Sequence, residues 1–168
     1  MIEIRKAILT DTQGIARVCS DAYRATYPGL LPQRHIEKII DDFYYEERIQ
    51  TEIRNTDFGW NGWFVASEDG RVLGAGGGGM IGQDCAELFV LYLDPQRKRQ
   101  GIGSRLLESI TADQIQRGAK EQWVSVAKEN AAAISFYEAV GFRYQGQQPA
   151  YGIPEEEGLF SLRYRRRL

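Results

Sequence analysis

Between Glu87 and Leu107 the chain passes from an apolar run ending at Asp94-Pro95, through three consecutive basic residues (Arg97, Lys98, Arg99), into Gln100-Gly101-Ile102-Gly103-Ser104 and then a helix-like pattern. Residues of these types in this order can hold an anion. The first amides of a helix have no intrahelical partner and point outward, and the helix dipole favours negative charge beside them. Gly101 and Gly103 let the main chain approach a phosphate without a Cβ in the way. The basic triplet adds long-range attraction. A plain strand-to-helix turn flanked by solvated charges would use the same residues, so this stretch alone leaves both readings open.

Other chemistry is poorly served. Gly74-Ala75-Gly76-Gly77-Gly78-Gly79 satisfies G-x-G-x-x-G in form, but Met80-Ile81-Gly82 and another strand pattern follow it instead of the required helix. A flat strand that lets another backbone come close is the better use of it. His35 is the one histidine and no Gly-x-Ser-x-Gly elbow exists, which excludes the usual serine hydrolase. Asp41-Asp42 and Glu46-Glu47 read as solvated helix faces, and no Cys/His cluster has zinc spacing, so no metal is expected. Arg163, Arg165, Arg166 and Arg167 read as a solvated basic tail, or as a weak contact for an acidic partner or phosphate.

The elements that must position these residues follow from periodicity. Ile2–Ala7 alternates as a strand does. Thr10 with Gln13 reads as a capping box, opening a helix to about Tyr27 that Pro28-Gly29 breaks. A second helix opens at Pro32, and a third, polar one lies within Phe43–Asn55. Trp63–Ala66 and Arg71–Ile81 read as a hairpin across Glu68-Asp69-Gly70. Ala86–Leu93 reads as a strand covered on both faces. The helix from Gly103 to about Arg117 should turn Leu106, Leu107, Ile110 and Ile115 inward. Trp123–Val126 is a strand, and Asn130–Val140 is a helix capped by Asn130 and ended by Gly141. Phe142–Gln147 and Leu159–Arg165 are the last strands. This order predicts a mixed α/β fold around one sheet.

Two blocks resemble the GNAT family of N-acetyltransferases. Pro95-Gln96-Arg97-Lys98-Arg99-Gln100-Gly101-Ile102-Gly103 is similar to its pyrophosphate loop, with two departures: Lys98 where Gln or Arg is usual, and Arg99 where a small residue is common. Ala127–Phe142 is similar to its other signature block, with Asn130, Phe136-Tyr137 and Gly141-Phe142 at the usual offsets. The resemblance implies a GNAT-like fold: a central twisted, mostly antiparallel sheet with helices on both faces, splayed where acetyl-CoA enters.

It also implies roles. Amides of Arg99, Gln100, Gly101, Ile102, Gly103 and Ser104 would hold the CoA pyrophosphate. Main chain at Leu91 and Leu93 would pair with the pantetheine arm, and an amide at Leu91 or Tyr92 would polarise the acetyl carbonyl. Asn130 would contact CoA. Tyr137 would protonate the departing thiolate. Glu87 would act as general base through water; a solvated or paired strand-edge carboxylate is the other use of that residue. Freeing a lysine-like amine of its proton at pH 7 costs about 4.6 kcal/mol, against about 1.4 for an α-amine near pKa 8, so a base matters most for the former. Tyr23 and Tyr27, in Tyr23–Pro32, would border the acceptor site or pack on the sheet. The implied reaction is direct transfer of acetyl from acetyl-CoA to a primary amine of a small molecule, polyamine or peptide. A covalent relay through Cys85 is the alternative route. A CoA-binding module without catalysis, and transfer of a larger acyl group, are the rivals.

Composition fits an ordinary globular protein. The 168 residues suit one domain spanning 1–168, 43% of them are hydrophobic and 26% charged, and the net charge of -2 gives no general basic excess for nucleic acid. No apolar run nears the ~20 residues that cross a bilayer. Two distant cysteines, Cys19 and Cys85, and a mixed N-terminus lead us to expect a reducing, cytoplasmic setting. The aromatic residues Tyr151, Phe160 and Tyr164 are a candidate homodimer surface.

Overall fold

Alternating faces along each strand, and helical stripes between them, produce one sheet clad on two sides. In the computed structural model, which describes residues 1–151, 153 and 155–168, the strands are β1 (Glu3–Lys6), β2 (Trp63–Glu68), β3 (Arg71–Gly82), β4 (Cys85–Leu93), β5 (Glu121–Ala127), β6 (Arg143–Pro149) and β7 (Phe160–Arg167). The helices are α1 (Thr12–Thr26), α2 (Gln33–Phe43), α3 (Glu46–Arg54), α4 (Ile102–Gln116) and α5 (Ala131–Ala139). The sheet order is β1-β2-β3-β4-β5-β7-β6. Among the described strands the β4–β5 pair is parallel and the others are antiparallel.

Alternation sends Phe64, Leu73, Leu88, Val124 and Val126 to one face, where Ile102, Leu106, Leu107 and Ile110 of α4 and Tyr137 of α5 meet them. It sends Val65, Val72 and Ala75 to the other, under Ile15, Val18 and Cys19 of α1 and Ile49 of α3. Each fully buried aliphatic side chain contributes about 1.5–3 kcal/mol of transfer free energy.

Several expectations need correction. Thr10 does not cap α1; it lies in a 3-10 turn, Leu9–Asp11, and Asp11 stands at the N-cap position. The Asp11 carboxylate accepts from the Ile8 amide at 2.8 Å and from Arg5, so the acid organises this corner. Ile115 is half exposed, at 50%, whereas Gln114 is buried. Four residues make slightly more than one turn, so the inward row through Ile110 continues to Gln114. β4 is not covered on both faces, since Phe89 is 49% exposed.

The arginine run is not a tail but β7, held between β5 and β6. Arg166 turns inward: Nε donates to Gln122 Oε1 at 2.9 Å, Nη1 to the Val140 carbonyl at 2.9 Å and Nη2 to Thr111 Oγ1 at 3.1 Å. Tyr164 is buried in the core, which removes it from the candidate dimer surface, and Phe160 is partly buried and lines a cavity.

Candidate functional site

The sheet opens along the line between β4 and β5. Their parallel pairing runs from Cys85↔Glu121 to Leu88↔Val124 and ends there. β4 continues beside β3 to Leu93↔Gly74, and β5 continues beside β7 to Ala127↔Ser161. At the parting point β4 carries an extra residue: Leu88 faces Gly78 and Val90 faces Gly77, which leaves Phe89 as a bulge. A bulge bends its strand and strengthens the local twist. The result is a narrow cleft of about 70 Å³ whose walls include Leu91, Ser125, Asn130 and Tyr137.

The glycine run serves this geometry. A Cβ on Gly78 would collide with the Glu87 carbonyl, and one on Gly79 with the Gly59 carbonyl. The close approach of backbones expected of these glycines is what they provide.

Beyond β4, Asp94 holds the turn. Its carboxylate accepts from the Gln96 amide at 3.0 Å and from Arg17 at 3.4 Å. Burial pushes this carboxyl upward, but the Gln96 amide and Arg17 outweigh it and hold the group below its usual range. A 3-10 turn, Pro95–Arg97, follows. Arg99 (φ 64°) and Gly101 (φ 76°) then both take left-handed conformations. That is costly for a side-chain-bearing residue, about 1–2 kcal/mol at Arg99. Gly101 occupies the N-cap of α4 and brings no side-chain oxygen to the free amides of Ile102, Gly103 and Ser104. The loop is thus built around outward-pointing donors. Lys98, Arg99 and Gln100 are exposed. Arg97 leaves the basic cluster, because it donates to Glu68 at 3.0 Å and to Gln100 at 3.1 Å.

The cleft meets a cavity of about 590 Å³, and Leu88, Val90, Tyr92 and Ser125 stand in the walls of both. Tyr23, Tyr27, Phe43, Tyr44, Trp60 and Tyr92 form much of its wall. Tyr23 and Tyr27 both line the cavity and pack on each other, with ring centroids 4.4 Å apart. Reading the sequence alone misses Tyr44, Trp60 and the Tyr92 ring. Their signal is aromatic density on elements whose facing depends on the tertiary fold. Tyr44 and Tyr92 meet edge to face at 6.1 Å.

Tyr137 sits in the cleft wall, buried at 7% exposure, with its ring edge-to-face on Phe136 and Phe142. Burial, then the neighbouring Tyr27, pushes its phenol well above the ordinary range. The group therefore keeps its proton at neutral pH. Asn130 caps α5, accepting from the Ala133 amide at 3.2 Å, while lining the same cleft.

Glu87 lines the large cavity, but it is clamped. Arg163 Nη1 donates to Oε2 at 2.7 Å and Nη2 to Oε1 at 3.0 Å, and Nη1 also reaches Ser125 Oγ at 2.8 Å. The paired-carboxylate alternative thus describes its contacts. Two oxygens offer about four acceptor directions, and the guanidinium takes two of them. Cys85, at the start of β4, donates to Glu121 at 3.2 Å, and burial followed by Glu121 pushes its thiol up to about 11. A thiol that stays protonated is a poor nucleophile. Among the described residues, no cluster of His, Cys, Asp or Glu could hold a metal, and no helix is long and apolar enough to cross a membrane.

The buried phenols carry a pH signature. Burial raises Tyr23, Tyr44, Tyr92 and Tyr137 in the fold, whereas in the unfolded chain each ionises near about 10. Their contribution is complete below that value and is lost as pH rises above it, because only the unfolded chain releases those protons. We expect stability in urea to fall from about pH 10 upward. In an alkaline titration followed by phenolate absorbance, these four of the nine tyrosines should ionise after the exposed ones. Smooth ionisation of all nine in the folded protein would contradict this.

Comparison with known proteins agrees with this geometry. The family model described as Acetyltransferase (GNAT) family matches residues 31–142. The spermidine N(1)-acetyltransferase of Thermoplasma acidophilum is 29% identical over 157 residues, covering 93% of this chain and 97% of that protein. The [ribosomal protein bS18]-alanine N-acetyltransferase of Escherichia coli K12 is 44% identical over 59 residues, 35% of this chain and 40% of that protein. The crystal structure of the PaiA N-acetyltransferase of Thermoplasma acidophilum in complex with coenzyme A superposes with a TM-score of 0.84 at 25% identity, over 100% of this chain and 99% of that one. With a family match across most of its length and a sheet that parts beside an open helix N-terminus, the chain belongs to the GNAT family of acetyltransferases.

Proposed function

We propose that the protein moves the acetyl group of acetyl-CoA directly onto a primary amine of a small molecule, polyamine or peptide. The observation that carries this is the cleft where β4 leaves β5. It has the open amides of α4 at one end, the aromatic cavity at the other, and the Tyr137 phenol in its wall.

In this reading the amides from Arg99 to Ser104 hold the CoA pyrophosphate, and the β4 edge at Leu91 and Leu93 takes the pantetheine arm as an added strand would. An amide just past the bulge, at Leu91 or Tyr92, donates to the thioester oxygen as it gains charge. One such donor is worth roughly 3 kcal/mol of barrier. Asn130 contacts CoA while capping its helix.

The amine enters through the cavity beside Tyr23 and Tyr27. Its nitrogen forms the new bond to the acetyl carbon, the carbon–sulfur bond breaks, and Tyr137 supplies a proton to the thiolate. Glu87 keeps two acceptor directions free of Arg163, and through them a water carries away the proton of the amine.

The test is thiol release from acetyl-CoA against a panel of polyamines, peptides and small amines. Amine-dependent release with at least one class is expected. Tight CoA binding with no release in any case would instead favour a module without catalysis, and faster release from a longer acyl-CoA would redirect the reading to that donor. The name of one relative points to spermidine and that of another to a peptide alanine, so both amines belong in the panel.

A further inference from the structure

The core beneath the cleft contains a chain of buried side-chain amides. Gln122 is fully buried and Gln114 is 1% exposed. Arg166 Nε donates to Gln122 Oε1 at 2.9 Å. Gln122 Nε2 donates to Gln114 Oε1 at 2.8 Å and to Thr111 Oγ1 at 3.0 Å. Gln114 Nε2 then donates to the main-chain carbonyl of Glu87 at 3.0 Å. Each amide in the series is oriented by the one before it, and Arg166 fixes which end of Gln122 accepts.

The carbonyl at the end of this series is next to the bulge. Glu87 C=O and Leu88 N–H belong to one rigid peptide plane, and Phe89 is the extra residue that follows. Gly78 leaves the space that this carbonyl occupies, and a Cβ there would strike the carbonyl and come within 2.8 Å of Gln114 Nε2. α4 therefore holds the β4 main chain from beneath, one peptide ahead of the point where the sheet opens.

We infer that Gln114 is a positioning residue for acetyl transfer: by holding the Glu87 carbonyl it sets the orientation of the bulge and of the amides beyond it that receive the thioester oxygen. This rests on the acetyl-transfer reading above. Gln114 touches no part of the substrate, and its effect reaches the reacting carbon through the main chain. The pyrophosphate loop lies at the other end of α4, so CoA affinity and turnover should separate.

Gln114→Met removes the donor to the Glu87 carbonyl together with the acceptor for Gln122, and Gln114→Leu removes the same two groups with a branched side chain. Both should lower kcat by about tenfold or more, in line with a misaimed oxyanion donor, with Kd for CoA, measured by calorimetry, within about threefold of wild type. A folded Gln114→Met or Gln114→Leu protein with unchanged kcat would overturn the inference, as would a loss of CoA affinity that accounts for all of the lost turnover. A wild-type measurement guards against variants that fail to fold. The Gln114 side-chain amide resonance should shift on adding acetyl-CoA and shift less with CoA, and equal shifts with the two would also overturn the inference. This measurement needs no amine. If wild type transfers to none of the amines tested, the functional reading fails while the nuclear resonance result still reports on Gln114.

Discussion

Tyr137→Phe is expected to lower kcat by roughly 100-fold or more, the usual scale for losing a positioned general acid, while CoA still binds. The substitution removes one oxygen and leaves the ring that packs on Phe136 and Phe142. Thermal stability should therefore hardly change, and lost turnover can be assigned to chemistry. The buried phenol suits proton donation. Burial makes it a weaker acid, but a thiolate released into the same low-dielectric cleft becomes a stronger base than in water as well. Stopped-flow thiol release at saturating acetyl-CoA and amine would measure the effect. A Tyr137→Phe enzyme that turns over at the wild-type rate would remove Tyr137 from the reaction.

The second large effect is expected at Gly101. Its left-handed backbone (φ 76°) and the open space around it make aspartate one of the more tolerable replacements there. Gly101→Asp would put a carboxylate beside the amides of Ile102, Gly103 and Ser104. It would compete for the donors proposed to hold the pyrophosphate and repel its charge. Charge-assisted hydrogen bonds are worth about 1.5–3 kcal/mol each, so losing one or two should weaken CoA binding by about 50-fold or more. Titration calorimetry with CoA reads this directly, and circular dichroism should show α4 intact. Unchanged affinity would mean that the anion binds elsewhere.

The parts of the fold that are legible in the sequence depend on local rules. Asn130 as a cap, Gly141 as a stop, the hairpin at Asp69-Gly70 and the helix after Gly101 each follow from a few adjacent residues. The places where the sequence misleads are those decided by distant contacts. Ile115 resembles core because it is apolar, yet the turn of α4 gives its inward position to Gln114, whose partners Gln122 and Glu87 come from other strands. Arg163 and Arg166 resemble a solvated tail because nothing nearby in sequence pairs with them. Their partners Glu87 and Gln122 lie 76 and 44 residues away. The same limit applies to the site. The loop before α4 and the Tyr137 block are contiguous motifs, whereas the aromatic cavity gathers residues from α1, α2, β4 and the Trp60 loop.

The insertion of β7 between β5 and β6 has a consequence for biosynthesis. Until residues 160–167 leave the ribosome, β5 has an open edge and β6 has no neighbour, so the nascent chain can assemble β1 to β4 but cannot finish the sheet. The guanidinium that clamps Glu87 and the one that satisfies Gln122 arrive in that same late strand. Formation of the groove between β4 and β5 is thereby coupled to synthesis of β7, and shortening the protein within that strand should abolish the groove along with the edge it seals.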